Sequence, residues 1–159
     1  MLALITIGLP AAGKSTFAAT LEGFEELNLD ACRAEVSGDA SNQSVTLEAL
    51  ALRDTRLAAA LAAGRPVVVS DTNLEPIHRR ALAERCRAAG YRVRFVYFET
   101  PYDVCLTRNA ARPRQVPEHA MARMAETLAA HPPEGCAALL GVELVRVSGV
   151  DGGWPEPAI

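Results

Sequence analysis

The 159-residue sequence lacks the long apolar segments of membrane proteins. A helix needs about 18 consecutive apolar residues to cross a bilayer, and no run reaches that length. The early run LALITI is interrupted by Gly8 and Pro10 and has no basic residue before it, unlike a secretion signal. The chain also has no low-complexity tract and no repeat with a period of about 20 to 50 residues. We therefore expect one cytoplasmic domain over residues 1–150 and a short, loosely ordered tail over residues 151–159.

The sequence has few cysteines, and their spacing excludes two kinds of site. The four residues lie 54, 19 and 31 positions apart, which matches neither a CxxC metal knuckle nor a dense disulfide framework. We expect all four to be free thiols, most of them packed in the core. They are Cys32, Cys86, Cys105 and Cys136.

Positive charge is also in deficit. The net charge is −3 and the isoelectric point is 5.6, so the sequence does not predict a large basic face for non-specific binding of nucleic acid. Any polyanion has to be held by a local cluster of cations. Fifteen of the sixteen basic residues are arginine, and the only lysine is Lys14, which points to a chemical requirement at that position.

Short apolar runs alternate with helix-forming segments along the chain. Predicted strands cover residues 2–7, 26–29, about four residues of PVVVSDT, YRVRFVYFE and VELVRVS. Predicted helices cover residues 14–21, 31–36, 46–63, 75–89, 100–109 and 117–130, with Thr100 as an N-cap and Pro101 in the first turn. This alternation predicts an α/β fold with right-handed crossovers and a mostly parallel sheet covered on both faces.

The segment GLPAAGKS, from Gly8 to Ser15, fits the phosphate-binding pattern G-x-x-x-x-G-K-[ST] in full. Glycine lets the backbone curl so that its N–H groups point at phosphate oxygens. We expect Lys14 to reach the β- and γ-phosphates of ATP and Ser15 to ligate Mg²⁺. A glycine turn beside a solvent-facing lysine is the structural alternative. The residues predicted to bind the nucleotide here are Gly8, Ala11, Ala12, Gly13, Lys14, Ser15 and Thr16.

Two aspartates follow other predicted strands, at the sheet edge where parallel sheets bind ligands. Asp71 follows VVVS, where a P-loop fold places an acid that holds Mg²⁺ directly or through water, although it could instead cap a helix. Asp30 precedes Arg33 by three residues, so the pair could face one cleft as a general base and a phosphate clamp. A surface ion pair of little energetic value is the alternative for these two residues.

Three arginines span a predicted helix end and a proline-containing loop. They are Arg108, Arg112 and Arg114. As a mobile cationic lid they would neutralise the charge that builds up on a transferring phosphoryl group. A solvated helix end is the alternative interpretation.

Taken together, these segments resemble the polynucleotide 5′-kinases, both the phage type and the kinase module of bacterial polynucleotide kinase-phosphatases. The resemblance rests on the stretches IGLPAAGKSTF, NLDACRAEVSGD, SNQSVTLEA, VVVSDTNLEPIHRR and RNAARPRQVPEHAMARM, which span roughly residues 4–124. It implies a P-loop NTPase-type three-layer sandwich with an arginine-bearing lid. It also implies transfer of the γ-phosphate of ATP to the 5′-hydroxyl end of RNA or DNA.

The resemblance implies roles on the nucleotide side of the site. Lys14 and Ser15 would hold the ATP phosphates and Mg²⁺, and Asp71 would support the metal. Arg108 and Arg112 would be the lid arginines on the ATP phosphates. All five residues lie within the matching stretches.

The resemblance also implies roles on the acceptor side. Asp30 would take the proton of the 5′-hydroxyl, Arg33 would contact the phosphate of the acceptor, and Thr72 would support the loop. No D-x-D-G-T segment follows, so we expect the kinase to stand alone. Two rival functions stay open: a small-molecule O-kinase acting on an antibiotic, sugar or nucleoside, and a nucleotide-binding switch or assembly ATPase with no external acceptor.

Overall fold

The apolar runs of the sequence form the strands of one parallel sheet in the computed structural model, which describes residues 1–150 and Trp154. The strands are β1 (Leu2–Ile7), β2 (Glu25–Leu27), β3 (Val67–Val69), β4 (Arg92–Phe98) and β5 (Glu143–Val147). Their spatial order is β2-β3-β1-β4-β5, and every neighbouring pair is parallel. The predicted parallel α/β sheet is therefore confirmed.

Seven α-helices connect and cover the strands within the described part of the chain. They are α1 (Lys14–Ala19), α2 (Leu29–Ser37), α3 (Thr46–Ala62), α4 (Pro76–Ala88), α5 (Tyr102–Ala110), α6 (Glu118–Ala130) and α7 (Pro133–Leu140). A short 3₁₀ helix, Gln43–Val45, precedes α3. No helix among these residues is both long enough and apolar enough to span a lipid bilayer.

Strand β1 lies at the centre of the sheet and is buried along its whole length. Because successive side chains of a strand point to opposite faces, Ala3, Ile5 and Ile7 enter one hydrophobic cluster, and Leu2 and Leu4 enter another. Each large aliphatic side chain contributes roughly 1.5–3 kcal/mol by its burial. A continuous apolar run at this position thus fixes β1 in the middle layer.

Helices cover both faces of the sheet. One hydrophobic cluster combines the sheet with α3, α4 and α7, and the other combines it with α1, α5 and α6. Three of the four cysteines are buried and all four are free thiols, as predicted. Burial raises the pKa of the Cys86 thiol to about 11. The predicted three-layer sandwich is confirmed.

Local structure departs from the sequence-based expectations at three points. Strand β2 ends at Leu27, and Asp30 lies in the first turn of α2 and not at a strand end. The helix begins early because the Asn28 side chain accepts a hydrogen bond from Ala31 N and caps it. Pro101, not Thr100, precedes α5, since the Thr100 hydroxyl donates instead to the Ala12 carbonyl at 2.8 Å.

The third departure is helix α7, which the sequence analysis does not predict. It begins at Pro133 and contains Gly135, residues that usually signal a turn. Proline is nevertheless favourable in the first turn of a helix, where its missing N–H has no partner to lose. The predicted tail lies outside the described residues except for Trp154.

Candidate active site

A cavity of about 960 Å³ lies at the carboxyl ends of the strands. The phosphate-binding loop, the start of α2, the residues after β3 and the segment between α5 and α6 all contribute to its wall. This is where parallel sheets bind ligands, because the connecting loops diverge there. Five cations and two carboxylates line the cavity: Lys14, Arg33, Arg108, Arg112 and Arg114, with Asp30 and Asp71. The local charge is therefore positive, although the whole chain is acidic.

The phosphate-binding loop has the backbone conformation that its glycines require. A Cβ on Gly8 would lie 3.0 Å from Cβ of Phe98, so the strand beside the loop leaves no room for a side chain. Gly13 has φ = 108°, in the left-handed region that other residues avoid. Ala11 also has a positive φ of 62°, which costs about 1–2 kcal/mol for a residue with a Cβ. The loop is thus held in a curled and partly strained shape.

Neighbouring elements hold that curl in place. The amide of Gly8 donates to the Thr72 carbonyl at 3.1 Å, and the Ala12 carbonyl accepts from the Thr100 hydroxyl at 2.8 Å. Trp154 packs its ring 5.9 Å from the Phe17 ring, measured between centroids, and approaches Gly13. The loop is therefore supported from the strand ends and from the core behind it.

Lys14 is buried beside the loop that contains it. Its side chain is only 7% exposed, and Nζ donates to the Leu9 carbonyl at 2.6 Å. The pKa of Lys14 is lowered to about 8, mainly because the side chain is buried. The charge of Arg112 acts in the same direction, and Cys105 and Asp71 oppose it. A phosphate in the cavity would compensate this buried ammonium. Ser15 and Thr16, at the start of α1, are exposed to the same space.

Asp30 and Arg33 both line the cavity. Arg33 donates through Nη1 to Oδ1 of Asp30 at 2.6 Å. The Arg33 side chain is 10% exposed and that of Asp30 is 43% exposed, so the arginine is inside and the carboxylate faces the opening. Arg33 Nε is buried and has no hydrogen-bond partner in the described part of the chain. A free donor at this position suits an anionic ligand oxygen.

Arg114, which the sequence analysis groups with the lid arginines, has no role among those that the resemblance implies. It crosses from the segment between α5 and α6 and donates through Nη2 to Oδ2 of Asp30. Arg108 instead donates to the Gly149 carbonyl at 2.8 Å. The Arg112 backbone amide donates to the Asn109 carbonyl, but its guanidinium makes no hydrogen bond or ion pair with the residues described. Arg108 and Arg114 therefore have different side-chain partners, and the predicted lid motion stays a prediction.

Asp71 lines the cavity, but both of its carboxylate oxygens already accept hydrogen bonds. Oδ1 accepts from Leu29 N at 2.7 Å, and Oδ2 accepts from Arg53 Nη1 at 2.8 Å. Asp71 therefore caps α2 and not α4, the helix that follows Asp71 in the sequence. Arg53 was missed by the sequence analysis because it lies on α3, 18 residues earlier, with no motif around it.

The residues present fit ATP and a magnesium ion that is held mainly by the nucleotide. No group of three or more histidine, cysteine or acidic side chains that could hold a metal occurs among residues 1–150 and Trp154. Mg²⁺ normally keeps several waters and binds phosphate oxygens with one or two protein ligands. Ser15 is free to be such a ligand. Asp71 fits contact through water, since its two oxygens are in use.

Comparison with known proteins agrees with this geometry. Residues 4–131 match the AAA domain family. No curated protein matches the sequence. A chain of the Pnkp1/Rnl/Hen1 RNA repair complex is similar in structure, with a TM-score of 0.72, 20% identity, and coverage of 84% of this chain and 45% of that one. This chain thus spans less than half the length of that neighbour.

Two further neighbours are covered over most of their own length. A sugar kinase from Janibacter has a TM-score of 0.62 and 20% identity, with 92% of this chain and 84% of that one covered. The tunicamycin resistance protein of Deinococcus radiodurans has a TM-score of 0.52 and 20% identity, with 91% and 99% covered. At such identities the likeness establishes the fold. Because the family match covers most of the sequence, the chain belongs to the AAA domain family, and with its P-loop kinase fold this supports an ATP-dependent phosphotransferase.

Proposed function

We propose that the protein transfers the γ-phosphate of ATP to the 5′-hydroxyl end of RNA or DNA. The observation that carries the proposal is the placement of Asp30 in the same cavity as Lys14, with Arg33 and Arg114 on its two oxygens. A carboxylate near the phosphate loop supplies a base, and flanking arginines supply binding groups for the phosphates of an acceptor. Residues 1–150 form the catalytic domain in this proposal.

The donor side of the cavity binds the triphosphate. The curled backbone from Gly8 to Ser15 directs N–H groups at the phosphates, and Lys14 leaves the Leu9 carbonyl to pair with them. Ser15 would hold Mg²⁺, and Asp71 would contact it through water. The ion, when bound, neutralises charge on the phosphate oxygens.

The lid arginines act on the same phosphates in the proposal. Arg112 makes no ion pair with described residues, so its guanidinium is available at the start of the reaction. Arg108 becomes available when it leaves the Gly149 carbonyl. Both would stabilise the charge that spreads over the transferring phosphoryl group.

On the acceptor side, Asp30 receives the proton of the attacking hydroxyl. For this, at least one of its oxygens must turn from an arginine to the substrate. A phosphate next to the acceptor nucleoside provides the exchange: Arg114 moves from the carboxylate to the phosphate oxygens, and Arg33 offers its unpaired Nε. Each arginine has an anionic partner before and after the exchange, so neither guanidinium is left without a compensating charge.

A small-molecule O-kinase is the second candidate, and one observation favours it. The sugar kinase and the tunicamycin resistance protein are matched over 84% and 99% of their own length, whereas the RNA repair chain is matched over 45%. The fold described here therefore accounts for most of the two former proteins and for less than half of the RNA repair chain. The net charge of −3 is also compatible with an acceptor that carries few phosphates.

Transfer of labelled phosphate from ATP to a panel of acceptors tests the proposal. The panel contains 5′-hydroxyl RNA and DNA oligonucleotides, free nucleosides, sugars and a nucleoside antibiotic of the tunicamycin type, with 5′-phosphorylated oligonucleotides as matched controls. We expect label on the 5′-hydroxyl oligonucleotides alone, with acceptor binding that weakens as salt rises. Label on a small alcohol and none on either oligonucleotide would establish the second candidate instead.

A further inference from the structure

Arg53 and Asp71 form the most enclosed ion pair near the cavity. Arg53 Nη1 lies 2.8 Å from Oδ2 of Asp71, and both side chains are only 12% exposed. A second bond fixes the guanidinium, since Nη2 lies 2.9 Å from Oδ1 of Asp54 on the same helix. The pair therefore links α3 to Asp71, the second residue after the end of β3.

The other oxygen of Asp71 continues this link to α2. Oδ1 accepts from the backbone amide of Leu29 at 2.7 Å, and Leu29 is the first residue of α2. Asp30 is the next residue along the chain. One carboxylate thus connects α3, the carboxyl end of β3 and the first turn of the helix that carries Asp30.

A second contact secures the same turn. The side-chain amide of Asn28 donates to the Ser70 hydroxyl at 2.9 Å, and its oxygen caps α2 by accepting from Ala31 N at 3.0 Å. Consecutive residues after β3, Ser70 and Asp71, therefore hold consecutive residues before Asp30. Two anchors at neighbouring positions fix both the place and the rotation of the turn.

We infer that Arg53 and Asp71 are positioning residues that hold Asp30 at the distance from the phosphate loop that the reaction needs. The inference rests on the proposed role of Asp30 as the base. A charged carboxylate this enclosed needs a cation, and Arg53 is that cation. Arg53 also occupies Oδ2 with a hydrogen bond, which assigns Asp71 to alignment of the helix and leaves it at most a water-mediated contact with Mg²⁺.

The test compares the full-length chain with Arg53→Met, Arg53→Lys and Asp71→Asn. The matched control is Arg56→Met, because Arg56 lies one turn further along α3 and also pairs with α2, through Glu35, but with side chains 40% and 55% exposed. The readouts are kcat, the KM values for ATP and acceptor, the Mg²⁺ concentration for half-maximal rate, and hydrogen exchange of the amides of residues 28–31.

We expect Arg53→Met to lower kcat about a hundredfold, because a displacement of a catalytic group by about 1 Å has effects of that size. The KM for ATP and the half-saturating Mg²⁺ concentration should not change, and exchange of the 28–31 amides should rise. Arg53→Lys should recover part of the rate, and Arg56→Met should match the unmodified protein. If Arg53→Met does not fold, Arg53→Met/Asp71→Asn removes both charges together and is expected to show the same loss of kcat.

Two outcomes would overturn the inference. In the first, Asp71→Asn raises the half-saturating Mg²⁺ concentration strongly while Arg53→Met leaves kcat unchanged, which assigns Asp71 directly to the metal. In the second, kcat falls while exchange of the 28–31 amides stays unchanged. Failure of the proposed function is distinguishable, because Asp30→Asn would then keep full transfer while the exchange readout still reports the link from Arg53 to α2.

Discussion

The two sides of the cavity are built in different ways. The donor side is a run of eight consecutive residues, Gly8 to Ser15, whose backbone curl makes the binding surface. The acceptor side is assembled from α2, α3, the residues after β3 and the segment before α6, which meet only in the folded chain.

This difference explains why the donor side is easier to predict from the sequence and less sensitive to substitutions elsewhere. A backbone loop depends on a few conformational requirements, such as the left-handed φ of Gly13. The acceptor side depends on partners 18, 42 and 84 residues apart: Arg53 with Asp71, Leu29 with Asp71, and Asp30 with Arg114. The donor side should therefore be less sensitive than the acceptor side to changes elsewhere in the chain.

Replacement of Asp30 by asparagine gives the largest expected effect and separates the two sides. The side chain keeps its size but loses its basicity, so kcat should fall on the order of a thousandfold, within the range for loss of a general base. ATP binding should be unchanged, because the donor side does not use this carboxylate. Labelled transfer and ATP affinity measure the two quantities. Equal loss of both would assign Asp30 to nucleotide binding or folding, and unchanged ATP hydrolysis without transfer would favour a switch ATPase.

Replacement of Lys14 by alanine attacks the donor side. We expect kcat to fall on the order of a hundredfold, as for removal of one preorganised charge next to the transferring group, and ATP binding to weaken with it. The free energy of unfolding should not fall, since the buried ammonium has a carbonyl as its hydrogen-bond partner and forms no ion pair with the described residues. Calorimetric titration with ATP and urea denaturation measure these effects. A destabilised protein with normal ATP affinity would contradict the assignment.

The charge of Lys14 predicts that ATP binding on the donor side depends on pH. Its pKa is about 8 in the folded protein, so the ammonium is lost as pH rises above that value. ATP affinity should fall by up to about tenfold between pH 7.5 and about pH 9, as the charged fraction falls. Fluorescence of Trp154, the only tryptophan, can report binding because its ring packs near Gly13. Lys14→Arg, which stays charged, should show no such fall.

The lowered pKa of Lys14 also predicts that the free energy of unfolding rises with pH, whereas ATP affinity falls. The folded-state pKa is lowered from 10.5, so between pH 8 and 10.5 the unfolded chain holds a proton that the folded chain has released. Stability from this group therefore increases with pH across that window and is constant below it. In the Lys14→Met variant, the free energy of unfolding measured by urea denaturation should not increase across this window. A stability that falls in this window for the unmodified protein but not for the variant would contradict the burial.

Replacement of Arg114 by alanine gives the smallest expected effect on stability. The pair with Asp30 is 41% and 43% exposed, so its loss should cost less than about 1 kcal/mol in the free energy of unfolding. The KM for the acceptor should rise while the KM for ATP stays constant. A rise in the KM for ATP would place Arg114 with the donor side and would break the comparison between the two sides.

Much of the fold follows from local patterns in the sequence. The buried run of β1, the valines of β3 and the Ala- and Leu-rich α3 lie within a few residues of their predicted positions. Thr100 was misplaced because its hydroxyl binds the Ala12 carbonyl, a partner 88 residues away. Asp30 was misplaced because Asn28 caps α2 locally and Asp71, 42 residues from Leu29, accepts from the first amide of that helix. Helix α7 was missed because Pro133 and Gly135 carry turn signals that its packing on the sheet outweighs.

The sequence by itself determined the phosphate loop, because a curled backbone needs glycine at fixed positions and its lysine follows in the same segment. It also determined the parallel sheet, because fully apolar strands must be covered on both faces. Only the tertiary structure decided which groups hold Asp30 and Asp71, since the choice among fifteen arginines depends on which of them the fold brings near a carboxylate. Electrostatic partners act over a few ångströms in space, and spacing along the chain does not record that distance.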